Sequence, residues 1–426
     1  MTKIYIRAGM SPLEPVPVGE AVQKDLFGVN TGNLVFQYST FRTLMREGTS
    51  FDAQWPKQVL GQVGGVERLN ETCDFAVFPL ADAFRSDYSL KPLTEMIRRL
   101  RIPGVVIGCG LKTRSPENIK KGFPFDDDVR AFMDAVLEKS ALVGLRGEYT
   151  ADYLQRLGYV PERHFTVIGC PSLYLNGPVM PEPRVRPIDE STRLSINTRM
   201  TQNPALNRLI RDAEARFPDY HLVQQVRWEL AMIAYGTPNI VRAKGKDTTG
   251  FYPFFPWHRD VRNGRAIGFT EARTWFDYMQ NVDYSFGSRI HGNITAMING
   301  VPSYVFTTDT RMEELCRWAN LNHMHADDVN DGMDIRDILE KTDFASVCRG
   351  HRQRFDHYVD FLDQNGLPHI YQNGENPERP PLDAALEKLP MGGLVRQGCM
   401  PAAEACRRWL ETCVTEAKSR LGRGRA

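Results

Sequence analysis

The chain has 426 residues, 42% hydrophobic and 25% charged, the balance of a soluble globular protein with room for two or three domains. Its 53 lysines and arginines face 52 acids, so no global field recruits nucleic acid or an anionic membrane. Local arginines therefore say more than net charge does.

The first segment runs straight into a strand predicted over Lys3–Arg7, with no signal-peptide pattern. No apolar run is long enough to span a bilayer, and a cytoplasmic protein is expected. Asn30-Thr31-Gly32-Asn33 precedes a helix over Asn33–Arg46. Asn30 and Asn33 there either edge a small anion or sugar pocket or simply cap the helix. Strands at Phe75–Phe78, Gly104–Ile107, Ala141–Leu145 and Phe165–Ile168 alternate with helices at Pro92–Arg99, Asp127–Ser140 and Thr150–Leu157. Short apolar strands alternating with amphipathic helices imply a parallel sheet covered on both faces.

Three turns in this half follow strands. In the first, Gly108 and Gly110 allow a ligand close to the backbone, with Lys112 beside them. That turn lacks the complete dinucleotide fingerprint, so no nicotinamide cofactor is expected. In the second, Arg146 ends a buried strand, which is costly unless it grips a ligand or pairs with Glu148 or Asp152. In the third, Cys170 has no histidine close in sequence, which favours inert packing over nucleophilic chemistry. A proline-rich linker over Asn176–Asp189 then closes a first domain of residues 1–180.

The pattern restarts with strands at Arg193–Asn197, His221–Gln225, Ala266–Gly268, Val282–Phe286 and Ser303–Phe306, a second domain over 190–343. Thr237–Gly264 interrupts it with the aromatic block Phe251–His258, which reads either as a loop or lid, with Trp257 stacking on a sugar, or as a packed satellite patch. Gly287-Ser288-Arg289 opens a helix whose exposed amides attract anions. Ser288 can cap it, Arg289 can grip a phosphate or carboxylate in a bidentate contact, and His291 can transfer protons near neutrality. Asp309 and Arg311 follow the next strand. Fixed cations and a base at the carboxyl ends of strands point to an anionic substrate.

The tail, 344–426, is expected to hold helices that return to the first domain, beginning with Phe344–Leu367. In Ala402–Leu421 the residues Cys406, Trp409, Leu410, Cys413, Ala417 and Leu421 recur at helical spacing, a stripe read as a docking face. Arg423 and Arg425 are either solvated tail residues or a contact with anionic lipid. The eight cysteines form no C-x-x-C pair, the nine histidines have no zinc spacing, and there is no Walker loop, so neither metal nor cofactor is expected.

The stretches Phe286-Gly287-Ser288-Arg289-Ile290-His291-Gly292, Gly300-Val301-Pro302 and Asp309-Thr310-Arg311 resemble the carboxy-terminal signature of the polysaccharide pyruvyl transferase family. Asn30–Asn33, Gly108–Gly110, Leu145–Thr150 and Gly169–Ser172 agree with it in order, over roughly residues 1–345 outside the aromatic insertion and the tail. The resemblance implies an α/β fold of two Rossmann-like domains facing a cleft, GT-B-like. It implies transfer of a pyruvyl group from phosphoenolpyruvate to two hydroxyls of a saccharide, forming a cyclic ketal. In this reading His291 and Arg289 act in catalysis, and Arg146, Arg289, Arg311 and Ser288 hold phosphoenolpyruvate. Asn30, Asn33, Gly108, Gly110, Lys112 and, outside the stretches that carry the resemblance, Trp257 are candidates for the acceptor side or the cleft. Arg311 stands where the family usually has lysine, and Asn33 where an aspartate is common. The acceptor implied is a saccharide or lipid-linked saccharide of cell-envelope polysaccharide synthesis, with peripheral contact at the inner membrane face. No nucleic acid is expected, and the sequence carries no signal of oligomeric state.

Two other readings share these residues. A GT-B glycosyltransferase or nucleotide-sugar epimerase would use the cations on a nucleotide diphosphate. A non-catalytic glycan- or anion-binding protein would keep the fold without the chemistry.

Overall fold

The computed structural model of the protein describes residues 1–201, 203–238 and 252–423, with side chains up to residue 414. Phe251 of the aromatic block and Arg425 of the tail lie outside the described residues, as do the side chains of Ala417, Leu421 and Arg423.

Two parallel sheets organise the chain. In the first half β1 (Thr2–Ile6), β2 (Thr49–Ala53), β3 (Phe75–Pro79) and β4 (Gly104–Ile107) pair in the order β2-β1-β3-β4. A pair formed by β5 (Val143–Leu145) and β6 (Phe165–Val167) continues that layer through a bridge between Cys109 and Leu145. In the second half β7 (Leu194–Ile196), β8 (Tyr220–Gln224), β9 (Ala266–Phe269), β10 (Tyr284–Gly287), β11 (Ser303–Thr307), β12 (His323–His325) and β13 (Leu394–Val395) form one sheet. Its order is β12-β11-β10-β7-β8-β9-β13, parallel except for the edge strand β13. Every residue of β4 and β10 is buried, as expected of strands covered by helices on both faces. The protein is therefore an α/β fold of two Rossmann-like units.

One apolar cluster runs through both units, beside others confined to one unit. It joins Ile4 and Ile107 of the first sheet to Ile267 and Val305 of the second through Val35, Phe36, Ile290 and Ile294. The last four lie on two helices that pack against each other, Gly32–Leu44 and Ile290–Ile298. Eleven of the thirteen residues of the first helix and all nine of the second are buried, so neither has a solvent face. They form the joint between the units, and the site is built where they begin.

The tail departs from expectation in three ways. The helix expected over Phe344–Leu367 is two pieces, because Gly350 takes a positive φ of 70° between the 3-10 turn Phe344–Cys348 and the helix His351–Gln364. That helix lies on the first unit, with Tyr358 stacked on Tyr174 at 4.7 Å and His357 bonded to Thr166 at 2.7 Å. The chain then crosses over, and β13 pairs with β9, so the tail serves both sheets. Helix Ala402–Arg423 docks on the helices Val18–Lys24 and Arg227–Tyr235 with a polar edge, not with its apolar stripe. Arg408 is buried and bonded to Gln23, whereas Trp409, Leu410 and Val414 are exposed. Among the described residues no helix is long and apolar enough to cross a membrane.

Candidate active site

The site lies at the carboxyl ends of strands from both sheets. Strand β10 ends at Gly287, where a Cβ would stand 2.2 Å from the Asn197 carbonyl oxygen, so only glycine lets the chain turn there. Asn293 braces the turn. Its Nδ2 donates to the carbonyls of Gly287 and Arg289, and its Oδ1 accepts from Ser285 and Ser303 at 2.9 and 3.0 Å. Arg289 is the N-cap of helix Ile290–Ile298 and makes no side-chain cap. Ser288 does not cap it either: its hydroxyl lies 3.3 Å from that of Thr198 and accepts from the Arg199 amide.

His291 projects from the first turn of that helix toward the first unit. Its Nε2 is 3.7 Å from the Cys170 Sγ, and its ring lies 6.4 Å from that of Phe36. Arg146, at the end of β5, reaches the same sulfur from the other side at 3.7 Å and lies over the Phe36 ring. Cys170 is thus flanked by an imidazole and a guanidinium, and the fold supplies the histidine neighbour that its sequence surroundings lack. The histidine comes from the other unit, 121 residues away.

Arg146 is 1% exposed, and its Nε has no partner. The expected alternative, a salt bridge to Glu148 or Asp152, does not form, and among the described residues no carboxylate pairs with this guanidinium. Arg146 acts through charge on Glu314, whose carboxyl is bonded to the Thr150 amide and hydroxyl. Burial pushes Glu314 up to about 8, against which the Thr150 bonds and Arg146 work only in part.

The other two expected arginines are already paired. Arg289 is buried, and its guanidinium bonds the Glu229 carboxylate at 2.5 Å, the Tyr252 hydroxyl at 3.2 Å and the Thr198 carbonyl at 3.0 Å. Arg311 bonds Asp82 at 2.8 Å and Asp309 at 3.3 Å. Arg289 is thus a buttress of its own unit, not a free grip. Arg311 sits in the first turn of helix Thr310–Trp318, whose N-cap Asp309 accepts from the Met312 amide.

These groups nevertheless share one field. Burial, then Arg146 and Arg311, lower the His291 pKa well below its ordinary value of 6.5, so the imidazole is neutral at physiological pH. Burial raises the Asp309 carboxyl, but Arg311, the Met312 amide, Arg199 and Lys112 bring it below its usual value. Arg199 was not anticipated. Its side chain is exposed, lies in the field of Arg289, Asp309 and Arg311, and donates to Thr308 at 2.7 Å, with no carboxylate in ion-pair contact among the described residues. Glu229, Tyr252, Glu314 and Asp82 were likewise missed, since no local pattern ties them to the cations they face. The helices starting at Gly32, Glu148, Ile290 and Thr310 bring their positive ends to this cluster.

The remaining expected residues divide. Gly108, at φ 71°, lies against Phe36, and a Cβ on Gly110 would stand 2.9 Å from the Ala81 carbonyl oxygen, so both support the site's backbone. Asn30 accepts from the Gly32 amide, and Asn33 donates to the carbonyls of Phe27 and Gly28. Trp257 is not brought to the cluster. It is exposed and stacked on Phe255 at 4.8 Å, while Tyr252 and Phe254 of the same block are buried in the second unit's core.

A sequence model of the polysaccharide pyruvyl transferase family matches residues 21–310, well over half of the chain. Every expected site residue except Arg311 falls inside that stretch. No curated protein matches the chain. Among solved structures, a UDP-GlcNAc 2-epimerase from Neisseria meningitidis, bound to UDP-GlcNAc, is 11% identical with a TM-score of 0.44, covering 86% of this chain and 100% of that one. One from Methanocaldococcus jannaschii, in complex with UDP-GlcNAc and UDP, is 10% identical with a TM-score of 0.43, covering 85% and 99%. An uncharacterized protein from Klebsiella pneumoniae is 14% identical with a TM-score of 0.39, covering 75% and 89%. Likeness this remote transfers no activity.

Proposed function

Because this chain belongs to the polysaccharide pyruvyl transferase family, we propose that it moves the enolpyruvyl group of phosphoenolpyruvate onto two hydroxyls of a saccharide, forming a cyclic pyruvate ketal and releasing phosphate. The observation that carries this reading is Arg146, a buried guanidinium with no carboxylate partner among the described residues, beside a neutral His291. A buried cation without a counter-ion is expensive, and a bound anion removes that cost.

Phosphoenolpyruvate offers a carboxylate and a phosphate. Arg146 takes one of them. Arg311 and the exposed Arg199 take the other, Arg311 loosening its hold on Asp82 or Asp309. Helix starts add fixed positive ends. Arg289, held by Glu229 and Tyr252, keeps the turn before His291 in place.

The first hydroxyl adds across the donor double bond, its oxygen to C2 and its proton to C3. Neutral His291 accepts that proton and passes it on, so the residue works as a relay and not as a standing acid. The second hydroxyl then replaces phosphate at C2, and its proton leaves with the phosphate. The cations stabilise the charge on the departing group.

Purified protein, phosphoenolpyruvate and a panel of saccharides test this. The expected product is an acceptor heavier by one pyruvate less one water, with one phosphate released for each. A protein stabilised against heat by nucleotide sugars alone, with no phosphate released in the presence of any saccharide, would sink the reading.

A further inference from the structure

A cavity adjoins the cation cluster, and we propose that it receives the acceptor and that this acceptor is an acidic saccharide, a sugar bearing a carboxylate or a phosphate. The word acceptor rests on the pyruvyl-transfer reading; the ligand class rests on the cavity alone.

The cavity, of about 90 Å³, lies in the first unit beyond the carboxyl ends of β1 and β3, lined among others by Arg7, Asn33, Gln37, Asp82, Arg85 and Tyr88. Two of its walls belong equally to the cation cluster. Phe36 lines the cavity and carries Arg146 over its ring at 5.6 Å. Asp82 lines it and bonds Arg311 at 2.8 Å. A molecule held here is therefore one side chain away from the donor cations.

The lining states what that molecule must offer. Arg7 lies over the Trp55 ring at 5.1 Å and donates to the Pro79 carbonyl, yet has no ion-pair partner among the described residues, and its buried Nε is unbonded. Arg85 lies over Tyr88 at 5.5 Å, and Asp82 and Asp87 are only loosely paired with it at 3.4 and 3.5 Å. Its buried Nε also makes no hydrogen bond. Gln37, 4% exposed, has its Oε1 buried without a donor. Buried polar atoms of this kind are rare because each costs free energy until it is satisfied.

Two unsatisfied donors on cations ask for an anionic oxygen, and one unsatisfied amide oxygen asks for a hydroxyl. Inorganic phosphate at neutral pH answers the first demand better than the second. A neutral sugar answers the second and leaves the Arg7 charge unpaired and Arg85 with its two long ion pairs alone. A sugar with an acidic group answers both, and the Tyr88 ring adds a flat face for its apolar side.

The test is direct binding to the full-length protein without phosphoenolpyruvate, by calorimetry or ligand-observed NMR. The probes are methyl β-D-glucuronide, glucose 6-phosphate, methyl β-D-glucoside and inorganic phosphate. The acidic sugars are expected to bind at least about tenfold more tightly than the neutral glucoside. The comparison between the two acidic sugars separates carboxylate from phosphate. The variant Arg7→Gln with Arg85→Gln should lose that preference, and Gln37→Leu should weaken every sugar while sparing phosphate. The second variant keeps the test alive if the first does not fold. Equal binding of glucoside and glucuronide, binding of inorganic phosphate alone, or a preference that survives in a folded double variant each overturns the proposal. Acidic-sugar binding without phosphate release from phosphoenolpyruvate supports the cavity's assignment and counts against pyruvyl transfer. Pyruvyl transfer to neutral sugars alone does the reverse.

Discussion

A Cβ on Gly32 would stand 2.6 Å from the Cβ of His291, so the two buried helices of the joint meet at the imidazole with no room for even a methyl group. Gly32 is not needed for backbone freedom, since it sits in a helix. Its role is closeness. Gly32→Ala is therefore expected to push His291 away from Cys170 and Arg146. The overpacking should cost about 1–3 kcal/mol in urea denaturation, with turnover falling in protein that is still folded. Unchanged stability and turnover would show that the joint has slack which the structure does not contain.

If neutral His291 relays the proton, His291→Ala should lower turnover roughly 10²–10⁴-fold while phosphoenolpyruvate still stabilises the protein. The pH profile carries a second mark. The reactive form is the neutral one, and the folded pKa lies well below 6.5. Activity should thus hold steady through pH 6.5 and fall only at more acid values. The same shift acts on stability: the unfolded chain takes up the proton first, so stability is lost as pH falls below 6.5 toward the folded pKa. An acidic limb centred at or above 6.5 would rule out the relay in its neutral form.

What the sequence made legible, and what it did not, divides along physical lines. Strand β4 was readable because Gly104–Ile107 is apolar and buried throughout. Strand β2, Thr49–Ala53, was missed because it is a half-exposed edge with polar residues, and β12, His323–His325, because two of its three residues are histidine. Arg146, Arg289 and His291 stood out because each follows a buried strand at a glycine turn. Their partners did not. Glu229 lies 60 residues from Arg289 and Tyr252 lies 37 away, and only the folded second unit joins them. The tail stripe misled because periodicity shows that a helix has an apolar face, not which face a neighbour covers.

Glu314 makes pH dependence of another kind testable. Its carboxyl is pushed from 4.5 up to about 8 by burial. A raised carboxyl contributes stability that is complete below pH 4.5 and is lost as pH rises through about 8, because the unfolded chain ionises first. Glu314→Gln keeps a partner for the Thr150 amide and hydroxyl and removes the ionisation. Relative to the parent, the variant should gain stability as pH rises from 5 to 8, by about 1.4 kcal/mol for each tenfold difference in proton affinity between the folded and unfolded carboxyl. Parallel stability curves over that range would mean that Glu314 is ionised in the folded protein.

The Arg289–Glu229 pair should behave as a unit. Glu229→Ala leaves a buried guanidinium with only the Tyr252 hydroxyl and the Thr198 carbonyl, and a loss of about 3–5 kcal/mol is expected. Arg289→Met made in that background should cost much less than in the parent, since the stranded charge is already the problem. Denaturant curves of the four proteins close the cycle. Additive costs would mean that the two side chains do not depend on each other.

Arg146 should do the opposite of Arg289. Arg289 has its carboxylate, so removing it breaks a buried pair and destabilises the fold. Arg146 has none among the described residues, and its Nε is unsatisfied, so Arg146→Met exchanges a stranded charge for apolar volume beside Phe36. Stability without ligand should stay level or rise. The cost should appear only with the donor. A ligand at 100 times its dissociation constant stabilises by about 2.7 kcal/mol, and Arg146→Met should lose most of that gain with phosphoenolpyruvate. Arg289→Met should keep a larger share of it on a weaker fold. Thermal melts of both variants with and without phosphoenolpyruvate separate stability from binding. If Arg146→Met unfolds the protein while Arg289→Met abolishes the donor's effect, the roles of the two arginines are reversed, and the anion lies on the second unit's turn instead of at the end of β5.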